Sequence, residues 1–312
     1  MDAQSMIKIE DIAHVRFRAP DLVEMRAFLE DFGLTIAESS EDRLVARGAG
    51  PAPAIHITER GDPGFAGLAF RAESLSDLER IAAAEGGAVE DLDLPGGGAV
   101  VRLSDPDGHR IEVVAGQAES DPIEVPAAQP WNRAGDHQRL RAVKRVAAGP
   151  AHVIRLGHAV LNVSNFRASE RWYKDRFGFI TSDEIQLSPE AALGAFLRCD
   201  RGETPTDHHT LFLAQAPSGP GFNHAAFEVA DIDDLILGHE RLKSAGRHAE
   251  WGIGRHILGS QVFDYWRDPW GHTLEHWTDG DLFTATDGAH VASLQELLGV
   301  QWGPASPPTM GA

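Results

Sequence analysis

Asp268-Pro269-Trp270-Gly271-His272-Thr273-Leu274-Glu275 has a counterpart earlier in the chain, Asp105-Pro106-Asp107-Gly108-His109-Arg110-Ile111-Glu112. In both, Asp-Pro-x-Gly reads as a turn that leads into a strand, because proline presets φ and glycine supplies an unusual dihedral. Upstream, Gly221-Phe222-Asn223-His224-Ala225-Ala226-Phe227 matches Gly64-Phe65-Ala66-Gly67-Leu68-Ala69-Phe70. Each is followed by an acidic helix start, Asp233-Asp234-Leu235 and Ser76-Asp77-Leu78. Further outward, the pattern predicts a strand over 12–18, then a helix over 21–32 closed by Gly33. It predicts the same pair again as a strand over 157–163 and a helix over 166–177, capped by Ser164-Asn165 and closed by Gly178. A repeat of this length means duplicated supersecondary units. The expected organisation is a first domain over 8–116, a linker over 117–150, a second domain over 151–281 and a tail over 282–312. The linker carries Pro122, Pro126, Pro130 and the basic stretch 139–145 and is expected to hold a short helix; the tail is expected to carry a helix over 293–298 and then a mobile Pro/Gly-rich end.

The length of 312 residues suits two domains, each long enough for its own core. Lysine and arginine number 28 against 47 acidic residues, a net charge of −19. That balance argues against nucleic-acid binding and against attachment to anionic membranes, since both need clustered positive charge. One cysteine, Cys199, excludes an intramolecular disulfide framework and any multi-cysteine zinc or iron–sulfur site. No apolar run reaches the length of a transmembrane helix, and Met1-Asp2-Ala3-Gln4 shows no signal-peptide character. A reducing cytoplasm is the expected compartment. The 15 histidines stand out, because imidazole both ligates metals and titrates near neutral pH.

The informative positions are those at which the two copies differ. His158 matches His14 and Glu275 matches Glu112, but His224 matches Gly67. Two histidines and a carboxylate on separate strands are the ligand set of a non-haem Fe(II) site with open coordination positions. The first copy cannot complete that set. His14 and Glu112 nevertheless show that two of the three persist without one, so spacing alone leaves a metal site and a structural role evenly open. Other residues have plainer readings. Gly96-Gly97-Gly98 is a turn, since no helix with Lys-Ser/Thr follows. His272 belongs to its turn as His109 does, Cys199 to the core, and Trp266, Trp270 and Trp277 to packing, with a substrate contact open for one of the three.

His208-His209-Thr210-Leu211-Phe212, His224, Gly254-Arg255-His256, Tyr265 and Glu275 occur in order, with intervals of 15 from His209 to His224, 9 from His256 to Tyr265 and 10 from Tyr265 to Glu275. This constellation resembles the type I extradiol ring-cleavage dioxygenases of the vicinal oxygen chelate superfamily, and the resemblance spans residues 9–281. It implies an α+β fold of four βαβββ modules paired into two curled-sheet cups, the second catalytic and the first metal-free. It implies Fe(II), with Mn(II) as an alternative ion, held by His158, His224 and Glu275, and a catechol-type substrate cleaved beside the diol with O2. His209 becomes the acid/base residue beside the oxygen site, while His256 and Tyr265 hydrogen-bond substrate oxygens. His208, read in a strand, must face away from His209. Relatives that cleave homoprotocatechuate carry an arginine where this chain has Trp251, which points to a diol with an uncharged or differently placed substituent; Trp251 and Arg255 are the candidate substrate contacts. A homo-oligomer, tetramer or dimer, is implied as well. The competing expectation is a non-oxygenase relative on the same scaffold, either a glyoxalase-type isomerase or lyase or a small-molecule binding protein.

Overall fold

The computed structural model describes residues 5–311; the expectation for Met1–Gln4 lies outside the described residues. The first half comprises β1 (Ile9–Ala19), α1 (Leu22–Asp31), β2 (Thr35–Ser39), β3 (Arg43–Arg47) and β4 (His56–Arg60), then β5 (Gly64–Ala72), α2 (Leu75–Glu85), β6 (Glu90–Asp91), β7 (Ala99–Ser104) and β8 (Arg110–Ala115). The second half repeats the order: β9 (Val153–Asn162), α3 (Phe166–Phe177), β10 (Ile180–Ser188), β11 (Ala191–Arg198), the short β12 (Thr206–Asp207) and β13 (Leu211–Ala214). It continues with β14 (Gly221–Val229), α4 (Ile232–Ser244), β15 (His248–His256), β16 (Val262–Arg267) and β17 (Thr273–Thr278). The chain closes with β18 (Leu282–Phe283), β19 (His290–Ser293), α5 (Leu294–Leu298) and β20 (Val300–Trp302).

Among the described residues these strands form two large sheets, ordered β2-β3-β4-β1-β5-β8-β7-β6 and β19-β10-β11-β13-β9-β14-β17-β16-β15-β20. Each repeat unit is a βαβββ module whose first strand lies parallel to its last, as β1 beside β4 and β14 beside β17. The first strands of paired modules meet antiparallel at the sheet centre, β1 with β5 and β9 with β14. Four such modules in two curled sheets are the architecture of the vicinal oxygen chelate fold.

Local signals explain the helix limits. Asp21 caps α1 by accepting from the backbone of Val23 and Glu24. Asn165 accepts from the Ala168 N–H, and Gly178 ends α3 at φ 72°, a left-handed conformation that a side chain would strain. The two turns are built alike: Asp105 accepts from the backbone N–H of Asp107 and His109, and Asp268 from those of Trp270 and His272.

The halves share one apolar core, in which Phe28, Phe32 and Phe227 are fully buried. Burial at that level contributes roughly 2–3 kcal/mol per phenylalanine. Across the junction, His276 Nε2–H donates to the Phe32 carbonyl at 2.8 Å and its ring stacks on Phe32 at 3.9 Å. Arg241 and Arg247 both hydrogen-bond the Asp31 carboxylate.

One expectation is corrected and another extended. The 117–150 linker holds no helix and is irregular apart from an Arg133–Asp136 bridge, its apolar Leu140, Val143 and Val146 standing exposed rather than packed. The tail carries the expected helix as α5 and adds pairings not expected from the sequence: β19 with β10 and β20 with β15, followed by a 3-10 turn over Pro308–Gly311.

His56 is buried against Phe17 with neither ring nitrogen hydrogen-bonded, and burial lowers its pKa from 6.5 to about 3. The unfolded chain therefore takes up a proton below pH 6.5 that the folded chain refuses until about pH 3, so stability falls as pH drops through that window. Urea unfolding of a His56→Phe variant should show an acid limb shallower by up to about 1.4 kcal/mol per pH unit than the parent chain's.

Candidate metal centre and its cavity

Strand register assembles the cluster. β9 lies antiparallel to β14, with His158 opposite Ala226 and Val160 opposite His224. β17 lies parallel to β14, with Glu275 opposite Ala226. His158, His224 and Glu275 thus project from three adjacent strands, and one donor atom from each lies within 4.8 Å of the others. Their relative exposures are 2, 7 and 0%, so little water reaches them. Glu275 Oε2 lies 3.3 Å from His158 Nε2 and 3.4 Å from His224 Nε2. The Nδ1–H of His224 donates to Asn223 Oδ1 at 2.8 Å, which turns the Nε2 lone pair towards Glu275 and fixes the tautomer a metal ligand needs.

Neither oxygen of Glu275 has a hydrogen bond, although both are sealed from solvent. Burial would raise its pKa, but the facing imidazoles of His158 and His224 hold it well below the usual carboxylate range. Burial pushes His158 down, against the pull of Glu275, and keeps its imidazole neutral. A buried carboxylate on which two imidazole nitrogens converge is the donor set of a divalent transition ion, and these residues fit one.

The first cup solves the same problem without a metal. Glu112 receives His14 Nε2 at 2.9 Å, Arg16 Nε at 2.7 Å and Arg102 Nε at 3.3 Å, and it also contacts Arg110. Arg16 is opposite Gly67 in its ladder as Val160 is opposite His224 in the other, so a guanidinium and a glycine replace a valine and a histidine. Gly67 sits at φ 137°, and a Cβ there would lie 2.6 Å from the Arg110 carbonyl oxygen. No third ligand could be accommodated at that position.

A cavity of about 370 Å³ opens above the cluster. His158, His224, His209, His256, Tyr265 and Trp251 line its inner end, and Ile185, Leu187, Leu193, Phe196 and Phe212 its walls. His209 is held neutral first by burial and then by the neighbouring imidazoles. His256 Nε2 lies 2.9 Å from the Tyr265 hydroxyl and 3.8 Å from Glu275 Oε1. Burial lowers the His256 pKa to about 4, and burial together with Glu275 raises that of Tyr265 well above 10.0, so both are neutral at pH 7. The Trp251 indole stacks on Tyr265 at 5.4 Å and donates to the Pro304 carbonyl.

Several sequence expectations change here. Arg255 does not line the cavity: its guanidinium turns away to the Asp279 carboxylate and the Ser260 carbonyl, because alternation along β15 sends it opposite to His256. His208 and His209 lie in the loop between β12 and β13 rather than in a strand, and although only His209 lines the cavity, their Nδ1 atoms meet at 3.0 Å. Trp266 and Trp277, by contrast, pack as expected: Trp277 lies edge-close to Gly157 and under the Arg155 guanidinium, and Trp266 donates to Asp264. The outer wall that sequence reasoning missed comes from the tail: Leu294, Leu297 and Leu298 of α5, with Ser306. The i, i+3, i+4 spacing of those leucines was the available signal.

A profile of the Glyoxalase/Bleomycin resistance protein/Dioxygenase superfamily matches residues 155–276, the span that holds the cluster. Metapyrocatechase 2 of Cupriavidus necator is 29% identical over 96% of this chain and 90% of its own length. The iron-dependent extradiol dioxygenase of Rhodococcus jostii (strain RHA1) is 27% identical over 84% of this chain and 78% of its own. Among solved structures, the Mn(II)-bound glyoxalase from Novosphingobium aromaticivorans superposes with a TM-score of 0.77 at 24% identity, covering 97% of this chain and 94% of that one, a likeness of fold. Residues 155–276 thus match the model of this superfamily, and the chain as a whole is similar to relatives named as extradiol dioxygenases.

Metal analysis of the chain loaded with Fe(II) or Mn(II) should give one ion per chain, and Glu275→Gln or His224→Ala should abolish stoichiometric binding. Glu112→Ala should leave metal content unchanged yet destabilise the fold by about 3 kcal/mol, since the buried Arg16 would keep only its contact with the more exposed Glu59.

Proposed function

We propose that the second cup is an Fe(II)-dependent active site that inserts both atoms of O2 into a catechol-type diol and opens the ring next to the diol. The observation that carries this reading is the His158–His224–Glu275 cluster at the floor of a largely apolar cavity, ringed by His209, His256 and Tyr265. Fe(II) bound there supplies one centre at which diol and O2 meet and through which electrons pass between them; Mn(II) is the alternative ion. The chain's own residues do the rest. His256 and Tyr265 hydrogen-bond the diol oxygens and favour the deprotonated diol, and His209 accepts or returns a proton beside the oxygen site. The apolar walls exclude water from the opened ring.

Substrate choice follows from charge. No lysine or arginine lines the cavity among the described residues, while aliphatic and aromatic side chains dominate its outer part. A substituent carboxylate buried there would lack a partner, at a cost of several kcal/mol. The reading is therefore a catechol with an alkyl or aryl substituent, with Trp251 as a contact near the ring. A cytoplasmic setting suits Fe(II) and the buried Cys199 thiol. Assembly as a dimer or tetramer belongs to the same reading, supported by the exposed apolar side chains Leu140, Val143 and Val146 of the linker.

Anaerobically iron-loaded protein, mixed with substituted catechols and exposed to air, should yield a yellow ring-fission product with one O2 consumed per ring. Alkyl- and aryl-catechols should exceed carboxylate-bearing ones by at least about 10²-fold in kcat/KM. A colourless outcome across the panel with iron verified as bound overturns the reading in favour of a non-oxygenase reaction.

A further inference from the structure

His209 is joined to a chain of buried polar groups that the proposed reaction does not by itself require. Its Nδ1 faces His208 Nδ1 at 3.0 Å. The far nitrogen of His208, Nε2, lies 2.6 Å from Asp183 Oδ2. The other oxygen of Asp183, Oδ1, receives His290 Nδ1 at 3.2 Å. His208 and His209 are 2 and 3% exposed and Asp183 is 7% exposed, so water does not compete for the His209–His208–Asp183 contacts, whereas His290 lies at the surface.

The proton positions follow from donor and acceptor capacity. Asp183 is held ionised: burial opposes it, but the hydrogen bonds from His208 and His290 prevail. A carboxylate only accepts, so the Asp183 contact requires Nε2–H on His208. The fully buried guanidinium of Arg198, which donates to Ser182 Oγ and the Thr181 carbonyl beside Asp183, supplies the positive charge nearby. With Nε2–H given to Asp183, a neutral His208 ring carries its lone pair on Nδ1. The Nδ1–Nδ1 contact then requires the proton on His209. That leaves His209 Nε2 as a bare lone pair, and it has no hydrogen-bond partner among the described residues.

We propose that Asp183 and His208 are positioning residues that hold His209 in its Nδ1–H tautomer, with the Nε2 lone pair presented to the cavity as a proton acceptor. The acceptor role rests on the ring-cleavage reading above; the tautomer does not. A proton taken up at Nε2 turns His209 into an imidazolium whose Nδ1–H still bonds His208, and the Asp183 carboxylate behind His208 stabilises that charge.

The test has two readouts. In the full chain loaded with diamagnetic Zn(II), histidine 15N NMR should show His209 as the Nδ1–H tautomer. In Asp183→Asn, whose amide can donate to His208 Nε2, the Nε2–H tautomer of His209 should become populated. In the iron-loaded enzyme the same variant should lose about 10²-fold in kcat with KM within about 2-fold. A second pair guards against misfolding. His208→Asn places an amide oxygen near the site of Nδ1, so it should keep the tautomer and most of kcat, whereas His208→Leu should lose both. Finding Nε2–H in the parent chain, an unmoved tautomer in Asp183→Asn, or equal kcat in the two His208 variants overturns the proposal. If the tautomer moves as expected while no iron-loaded form cleaves a catechol, the positioning stands and the ring-cleavage reading falls.

Discussion

A carboxylate sealed from water must have positive charge beside it, and both cups of this protein are organised by that requirement. Glu112 and Glu275 occupy matching places, each fully buried and each facing a histidine from the central strand. In the first cup the charge is covalent, carried by Arg16 with help from Arg102 and Arg110. In the second the corresponding ladder position is Val160, which offers none, and the facing residue is a histidine. The two solutions exclude each other, since an arginine at the ladder position would fill the space over the carboxylate. One exchange of residues thus separates a self-satisfied cup from one built to take an ion.

The surroundings of the cluster extend the same logic outward. Next to the triad the polar groups are neutral at pH 7 and can hold or move protons: His209, His256 and the Tyr265 hydroxyl. Beyond them the walls become aliphatic, and the last wall is supplied by α5 from the tail. Charge is therefore concentrated at one point of the cavity, where a low local dielectric makes each electrostatic contact stronger than in water.

Much of this was legible in the sequence because duplication supplies an internal control. The Asp-Pro-x-Gly turns, the Asn165 and Gly178 caps and the His224/Gly67 difference are local or comparative signals, and they survive in the folded chain. What could not be read depended on long-range packing. Arg255 sits beside His256 in sequence, but strand alternation and an Asp279 partner 24 residues away draw it outward. The His208–His209 pair lies in a loop, where the two-residue alternation of a strand does not apply. The tail leucines look like an ordinary surface helix until β19 pairs with β10 and carries α5 over the cavity. The sequence predicts a short helix in the linker, yet its apolar side chains Leu140, Val143 and Val146 stay exposed, so no burial repays the ordering of one.

The junction between the halves gives the cup without a metal centre a purpose. Glu275 is followed in the chain by His276, whose side chain crosses to the first half, donates to the Phe32 carbonyl and stacks on its ring. Neighbours on a strand point to opposite faces, so anchoring His276 on one side sets the angle at which Glu275 leaves the other. The first copy thus acts as an abutment. It grips the strand that bears the only anionic donor, and an arch of this kind loses its span when either pier is taken away.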